Sequence, residues 1–199
     1  FITTFGSSAQ ASVRNEVERG FSGDLIVQAS SAFGPGGGFP PSVADDVAEV
    51  DGVESVSRVA FLPAEVTYPS GERSTQFVTV LEPDTALDVF VPRMAEGDLA
   101  DLGEGGVVVD VGTAEDNGLA IGDVVGLTAP TGRAVELTIE AISDDLTLIG
   151  NWAIDVGTWT DLVTERQLSQ LVVTVDDDRE VAAVQADVEA ALGDLPGID

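Results

Sequence analysis

The stretch Val107–Val125, which reads VVVDVGTAEDNGLAIGDVV, decides how the chain folds. Its first three residues are apolar and β-branched at successive positions, which predicts a strand covered on both faces. Thr113 is expected to cap a short helix, with Asp116 completing a loose capping box, and Gly118 is expected to end that helix in the left-handed conformation. The segment therefore predicts a central strand, one short helix and a turn into a second strand.

The end of this segment has the residue types of a tight turn. Gly122 tolerates a positive φ, and the side chain of Asp123 can hydrogen-bond to its own backbone, so a turn is expected before the strand that begins at Val124. Leu119 and Ile121 are expected to anchor the end of the helix in the core.

The aspartates allow two interpretations. Asp110, Asp116 and Asp123 could bind a metal or act in catalysis, but turn and cap hydrogen bonds give each of them a backbone role. The neighbouring pairs Asp45-Asp46 and Asp144-Asp145 could suggest glycosidase chemistry, but they follow from the abundance of acidic residues. We therefore assign no catalytic, cofactor-binding or metal-binding residue.

The composition excludes several chemistries. The chain holds 36 acidic residues against eight Arg, with no Lys, His or Cys, and its formal net charge is −28. It therefore cannot build a Ser-His or Cys-His nucleophile pair, a zinc finger or a thiol redox centre. So negative a field repels nucleic acid and anionic lipid, and any partner surface is expected to be neutral or basic. With 44% apolar residues, the chain can still bury a core.

Hydrophobic periodicity predicts an α+β chain. The predicted strands are Leu25–Ala29, Val53–Tyr68, Ser74–Leu81, Val107–Val109, Val124–Leu127, Val135–Ala141, Leu146–Val156 and Leu171–Val175. The predicted helices cover residues 1–20, Val43–Val50, Thr158–Gln167 (a short helix or turn) and the residues after Asp178. Turns at Pro69–Glu72 and Pro130–Gly132 predict two antiparallel hairpins, and Pro63 predicts an edge or a bulge. We identify no internal repeat.

Three features have competing interpretations. The loop Ser31–Pro41 is rich in Gly and Pro. A phosphate-binding loop would need a Lys, which the chain lacks, so that interpretation is disfavoured. The interpretation as a flexible loop that faces a substrate or partner remains. Trp152 and Trp159 are expected in the core rather than as ligand platforms. Asp176–Asp178 are expected to cap the last helix rather than to bind calcium. The apolar face predicted for that helix holds Val181, Val184, Val188 and Leu192.

Several motifs resemble one family in their order along the chain. The segment Val107–Val125 resembles the "lA...GL..GD.v" stretch in extracytoplasmic domains of FtsX-like and MacB-type ABC transporter permeases. The strands GDLIVQA (Gly23–Ala29), VDGVESVSRV (Val50–Val59) and FVTVLEPD (Phe77–Asp84) resemble other parts of those domains, as does the hairpin Gly122–Ile142. The resemblance covers nearly all 199 residues.

This resemblance implies a fold and a role. The fold would be α+β: a split ferredoxin-like, porter-type subdomain (residues 1–84 plus 168–199) with an inserted β-rich, sabre-type subdomain (residues 85–167). Residues 1–20 would be a stalk helix that continues a membrane span. The domain would catalyse nothing and bind no cofactor, and it would lie on the extracytoplasmic side of the cell membrane. There it would transmit ATP-driven conformational change for efflux or for activation of a partner.

The resemblance also implies partners, and the residues leave two other functions open. The implied partners are a separate cytoplasmic ABC ATPase subunit, a second permease in a dimer and an extracytoplasmic protein, but no nucleic acid. No run of about 20 apolar residues spans a bilayer, and the start at Phe1 suggests a chain trimmed at the membrane surface. The alternatives are a secreted acidic module that binds a basic peptide or protein and, third, a carboxylate-based hydrolase.

Overall fold

The computed structural model describes residues 23–29, 38–144 and 150–193. The strands of these residues are β1 (Leu25–Gln28), β2 (Val53–Thr67), β3 (Arg73–Leu81), β4 (Met94–Glu96), β5 (Gly106–Asp110), β6 (Val124–Thr128), β7 (Ala134–Ser143), β8 (Trp152–Asp155) and β9 (Gln170–Val175). The helices are α1 (Ser42–Ala48), α2 (Pro83–Val89), α3 (Val111–Asn117), α4 (Val156–Leu162) and α5 (Val181–Leu192), with a 3-10 turn at Leu99–Asp101.

Four antiparallel strands form one end of the sheet, in the order β1, β9, β2, β3. Helices α1 and α5 pack on one face of this quartet, where Val43 and Val47 of α1 join Val184 and Val188 of α5 in one buried cluster. The α+β class predicted from the sequence is therefore confirmed, and the quartet with its two helices is compatible with the split ferredoxin-like description.

The longer part of the sheet closes on itself. Strand β3 pairs with β8, β8 with β5, β5 with β7, and β7 with β6. Strand β6 then pairs with the far end of β2, through Glu65, Val66 and Thr67. Six strands therefore form a closed ring, and β2 and β3 belong to both the ring and the antiparallel quartet.

Alternation along the strands creates two apolar clusters. The larger one fills the ring and continues under α1 and α5; on β5 it includes Val107 and Val109. The smaller one lies on the opposite face, beneath α2 and the 3-10 turn, and takes Val108 from the same strand. The prediction that β5 is covered on both faces is confirmed, since all five of its residues are buried.

The cap of α3 differs from the prediction. Asp110, not Thr113, is the N-cap, because the helix begins at Val111 and Thr113 lies inside its first turn. Asp116 makes no capping box for the same reason. Gly118 ends the helix at φ 63° and ψ 38°, which confirms the predicted left-handed stop.

Three predictions about apolar or capping residues are wrong. Ile121 is 43% exposed and Val181 is 39% exposed, so neither anchors its element in the core. Helix α5 has Glu180 at its N-cap position with no side-chain cap hydrogen bond, so the aspartates at 176–178 do not cap it. These three residues instead form the turn that follows β9, where the Arg179 N–H donates to the Asp176 carbonyl.

The tryptophan region confirms one prediction and corrects another. Trp152 and Trp159 are both buried in the larger cluster, as predicted. The strand here is limited to Trp152–Asp155, and Val156 begins α4 instead of ending a strand. Asp155 causes this change of structure, because its Oδ1 accepts a hydrogen bond from the Gly157 N–H at 2.6 Å and caps the helix.

Pro63 lies in a local gap within the sheet. The Phe61 N–H points away from β3 and donates a hydrogen bond to Ser169 Oγ, next to β9. Backbone N–H groups two residues apart in a strand point to the same side, so the nitrogen of Pro63 also points away from β3. Strand β9 stops pairing with β2 at Val59, and β6 begins pairing at Glu65. On the side of β2 away from β3, the missing N–H of Pro63 therefore falls where no described strand pairs with β2, as the predicted edge position requires.

The two predicted subdomains share hydrogen-bonded strands. From the segment 85–167, β8 pairs directly with β3 and β6 pairs directly with β2. The boundaries at 84/85 and 167/168 stay a proposal. The predicted stalk helix (1–20) and most of the glycine-proline loop lie outside the described residues, which include Gly38–Pro41 from that loop.

Candidate functional site

The aspartates of the central segment have backbone roles. Asp110 Oδ1 accepts hydrogen bonds from the N–H groups of Gly112 and Thr113 at 3.0 and 3.2 Å. Asp123 Oδ2 accepts one from the Ala120 N–H at 2.9 Å and so fixes the turn before β6. Asp116 lies exposed on α3. The segment positions strands, and its aspartates do not converge on a ligand.

The neighbouring carboxylate pairs do not form an acid-base site. Asp45 is in an ion pair with Arg58, 2.8 Å from its Nη2, while Asp46 is exposed on α1. Asp144 is exposed after β7, and Asp145 lies outside the described residues. Glycoside hydrolysis needs two carboxyl groups that face each other across a substrate, and the described members of these pairs do not offer that.

A depression at one end of the ring holds three acidic residues. It is lined by Glu104, Gly105, Val135, Glu136, Leu137, Thr158 and Asp161. Glu104, Glu136 and Asp161 are all exposed, and the Thr158 hydroxyl already accepts a hydrogen bond from the Gly105 N–H at 2.9 Å. Acid-base catalysis by two carboxyl groups uses side chains held in different, partly buried environments, and these three side chains are all exposed.

The described residues also offer no metal centre. No group of three or more acidic side chains among residues 23–29, 38–144 and 150–193 comes close enough to hold a metal ion. The two tryptophans point into the core, where Trp152 contacts Tyr68 with ring centroids 6.1 Å apart. Ligand stacking on these rings is therefore incompatible with their burial.

Two arginines organise the acidic surface of the helix layer. Arg58 bonds to Asp45 and to Glu82, and Arg179 bonds to Asp51 beside the first turn of α5. The hydrogen bond to Asp51, followed by the attraction of its charge, raises the pKa of Arg179 above its ordinary value. This raised pKa favours the folded state below the ordinary pKa of arginine, and the contribution is lost only as the pH rises through the raised pKa, so it does not vary near neutrality.

The first described residues and the start of the last helix both lie near the end of β9. The Asp24 N–H donates to the Val173 carbonyl, and the Asp24 carboxylate accepts from the Val175 N–H at 2.8 Å. Helix α5 begins at this same end, since a Cβ on Gly52, next to β2, would lie 2.9 Å from Val184. From there its 12 residues extend about 18 Å along the sheet, and one side of the helix is buried through Val184, Val188 and Leu192.

No helix among the described residues is both long enough and apolar enough to cross a membrane. Residues 1–191 match the family described as MacB-like periplasmic core domain. The chain belongs to this family. The domain is accordingly the extracytoplasmic part of an ABC transporter permease, as the motifs Gly23–Ala29 and Gly122–Ile142 predicted.

Solved structures show the same fold at low sequence identity. The periplasmic region of MacB from Actinobacillus actinomycetemcomitans superimposes with a TM-score of 0.66 at 14% identity, covering 87% of this chain and 85% of that one. The extracellular domain of the noncanonic ABC-type transporter YknZ from Gram-positive bacteria gives 0.64 at 15% identity, covering 85% and 92%. A comparison with curated protein sequences gives no significant match.

The periplasmic core domain also contains a charged junction that sequence reasoning missed. Arg58, Asp45 and Glu82 lie in β2, in α1 and just before α2, and their spacing along the chain carries no motif. The available signal was weak: one Arg within the long strand β2, in a chain with only eight basic residues.

Proposed function

We propose that this periplasmic core domain is non-catalytic and transmits ATP-driven conformational change from the membrane to the extracytoplasmic side. The change would start at a separate cytoplasmic ATPase subunit and pass through the permease, which we propose works as a dimer. Outside the membrane, the outcome would be efflux of a substrate or activation of an extracytoplasmic protein.

The observation that carries this proposal is the continuity of hydrogen bonding from the chain's first described strand to the ring. Strand β1 pairs with β9, β9 with β2, and β2 is itself a strand of the closed ring. A force applied near Asp24 therefore meets a chain of paired strands rather than a hinge. Transmission requires this property, because a hinge would absorb the displacement.

The last helix supports the same proposal. Helix α5 lies against the sheet through Val184, Val188 and Leu192, which are at most 8% exposed. Buried contacts of this density resist sliding, since protein interiors are packed like organic crystals. A displacement of the chain beyond Gly193 would thus move the body of the domain.

The test uses the full-length permease with its ATPase in lipid vesicles. Val188→Ser loosens the docking of α5, whereas Val181→Ser changes an exposed position on the same helix. We expect Val188→Ser to keep ATP hydrolysis within about twofold while transport, or activation of the partner, falls at least fivefold. Transport that stays at the level of Val181→Ser, despite a measured loss of α5 docking, would contradict the proposal.

A second experiment addresses catalysis. Replacing Glu104, Glu136 and Asp161 together by Gln, Gln and Asn removes the carboxylates of the depression at the end of the ring. A non-catalytic transmitter should retain transport, because these side chains are exposed and carry no packing. Loss of function with an unchanged unfolding temperature would favour the hydrolase instead.

The acidic surface favours one other function, a binding module for a basic peptide or protein. The net charge of −28 would attract such a partner over a long range. Titration of an Arg-rich peptide into the domain at 50 and 300 mM salt separates the two functions. A single stoichiometric site that persists at the higher salt would favour the module, and weak, fully screened binding would favour the transmitter.

A further inference from the structure

Two short motifs occur twice in the ring. The sequence TYPSG at Thr67–Gly71 is similar to TAPTG at Thr128–Gly132. The sequence DVGT occurs at Asp110–Thr113 and again at Asp155–Thr158. In each case the turn motif precedes the DVGT motif along the chain. Each motif is too short to stand out as an internal repeat from the sequence alone.

The two turn motifs have the same geometry. The Gly71 N–H donates to the Tyr68 carbonyl, and the Gly132 N–H donates to the Ala129 carbonyl, both at 2.9 Å. The φ angles of the two glycines are 85° and 83°. Each turn links two antiparallel strands, β2 to β3 and β6 to β7.

The two DVGT motifs are equally alike. Asp110 has φ −72° and ψ 152°, and Asp155 has φ −72° and ψ 153°. Their carboxylates accept hydrogen bonds from the N–H groups of Gly112 and Gly157, respectively. Each motif ends a buried strand and begins a helix of seven residues.

The strand registers relate the two sets by a twofold axis. The pairs between β2 and β6 are Glu65–Thr128, Val66–Leu127 and Thr67–Gly126. Thr67 and Thr128 occupy the same place in the two turn motifs. If each residue of one strand is replaced by its equivalent in the other, the pair Glu65–Thr128 becomes the pair Thr67–Gly126, and the pair Val66–Leu127 is unchanged. A local twofold axis therefore passes between Val66 and Leu127.

The opposite side of the ring obeys the same symmetry. The pairs between β5 and β8 are Val107–Ile154, Val108–Ala153 and Val109–Trp152. Exchanging Asp110 with Asp155 again swaps the outer pairs and keeps the middle one. The axis thus leaves the ring between Val108 and Ala153. A chance similarity of two short motifs would not also make the β2–β6 register and the β5–β8 register, on opposite sides of the ring, obey the same twofold symmetry.

We propose that residues 53–118 and 124–163 are two copies of one unit that has a hairpin, a third strand and a short helix. The first copy carries α2, β4 and the 3-10 turn in addition, between its hairpin and its third strand. The third strands are exchanged between the copies. Strand β5 of the first copy lies parallel to β7 of the second, and β8 of the second lies parallel to β3 of the first. Neither copy then has a complete sheet without the other, so the ring opens as one cooperative body.

Reciprocal hydrogen bonds hold the two exchanged strands. The Thr158 hydroxyl in the second copy accepts from the Gly105 N–H just before β5 of the first, at 2.9 Å. The Thr113 hydroxyl in the first copy accepts from Asn151 Nδ2 just before β8 of the second, at 3.1 Å. Each of the two equivalent threonines therefore accepts a hydrogen bond from the segment that leads into the third strand of the opposite copy, one from a backbone N–H and the other from a side-chain amide.

Hydrogen exchange on the unmodified full chain tests the exchange of strands. Amides at equivalent places, such as Val78 with Ile139 and Val108 with Ala153, should have opening rates equal within about threefold and the same dependence on denaturant. Exchange of β6, β7 and β8 more than tenfold faster than that of β3 and β5, with its own weaker denaturant dependence, would show that the copies open separately and would overturn the proposal.

Proteolytic release gives a second test. Recognition sites for a specific protease, placed in the exposed turns at 120–122 and 164–166, allow the segment 124–163 to be cut free at both ends. We expect the cut segment to co-elute with the rest of the domain until denaturant is added. Its elution as a separate species in native buffer would overturn the proposal.

Three substitutions refine this measurement. Thr113→Val and Thr158→Val should each speed release of the segment, by factors within threefold of one another, because the two threonines are equivalent. Thr160→Val is the matched control, since its hydroxyl bonds only to the Val156 carbonyl of its own helix. If the segment 124–163 were released at the same rate in Thr158→Val and in Thr160→Val, the hydrogen bond of Thr158 would not hold the two copies together. If the cleavable variants do not fold, hydrogen exchange on the unmodified chain decides.

Discussion

Arg58 and Glu82 face each other just beyond Val59–Leu81, the pair of β2 and β3 farthest from their turn, with the Nη1 atom of the guanidinium 3.2 Å from Oε1 of the carboxylate. The other terminal nitrogen of the same guanidinium lies 2.8 Å from Asp45 on α1. One cation therefore joins a helix of the outer layer to the hairpin beneath it. Both Arg58 and Glu82 are less than one-third exposed, which sets this junction apart from ordinary surface ion pairs.

Removal of this cation should destabilise the domain. We expect Arg58→Met to lower the free energy of unfolding by about 2 kcal/mol, because Glu82 would lose its partner in a half-buried place. Arg73→Met is the control: its pair with Glu65 is exposed on both sides and should contribute less than about 0.5 kcal/mol. Urea unfolding followed by tryptophan fluorescence measures both, and equal losses would contradict this role for Arg58.

The cap of α3 gives a second prediction. Asp110→Ala should cost about 1 to 2 kcal/mol, because the N–H groups of Gly112 and Thr113 would lose their acceptor. Asp110→Asn should cost less, since an amide oxygen can accept the same bonds. Asp116→Ala removes an exposed carboxylate from the same helix and should leave stability within about 0.5 kcal/mol. Urea unfolding measures these losses. If Asp116→Ala lowered the free energy of unfolding as much as Asp110→Ala does, Asp116 would be part of the helix cap and the assignment to Asp110 alone would be wrong.

Local signals predicted much of the fold. The β-branched run at Val107–Val109, the turn residues at Pro69–Glu72 and Pro130–Gly132 and the left-handed Gly118 each act on their own neighbours, so one stretch of sequence is enough to read them. The choice of Asp110 over Thr113 as the cap depended on where the helix begins. Both residue types cap well, and the sequence does not fix that position.

Long-range pairing could not be read in the same way. Alternation shows which side of β2 is apolar, but it does not show that β6 pairs with Glu65–Thr67 and closes the ring. The junction at Arg58 likewise depends on three elements that meet only in the folded chain. The exposure of Ile121 and Val181 follows from the same limit, because an apolar residue at the right spacing is buried only where another element covers it.

The docking of α5 leads to a third prediction. Val188 is 3% exposed and Val181 is 39% exposed on the same helix. Val188→Ala should cost about 2 kcal/mol through the loss of two buried methyl groups and the cavity they leave. Val181→Ala should be neutral or slightly stabilising, because Ala has the higher helix propensity. Thermal unfolding distinguishes the two, and a larger loss in Val181→Ala would contradict the observed orientation of α5.

The gap beside Pro63 leads to the last prediction. The nitrogen of Pro63 faces the space between β9 and β6, so Pro63→Ala should cost only about 0.5 kcal/mol, through the greater freedom of the unfolded chain. The neighbouring Ala64 pairs with Gln76, and alternation turns its N–H to β3. Ala64→Pro should therefore cost about 2 to 4 kcal/mol, because it removes a ladder bond and leaves a carbonyl of β3 without a donor. Urea unfolding of both variants measures this difference. Similar losses in the two would mean that β2 pairs equally on both sides at this point and that the sheet has no gap there.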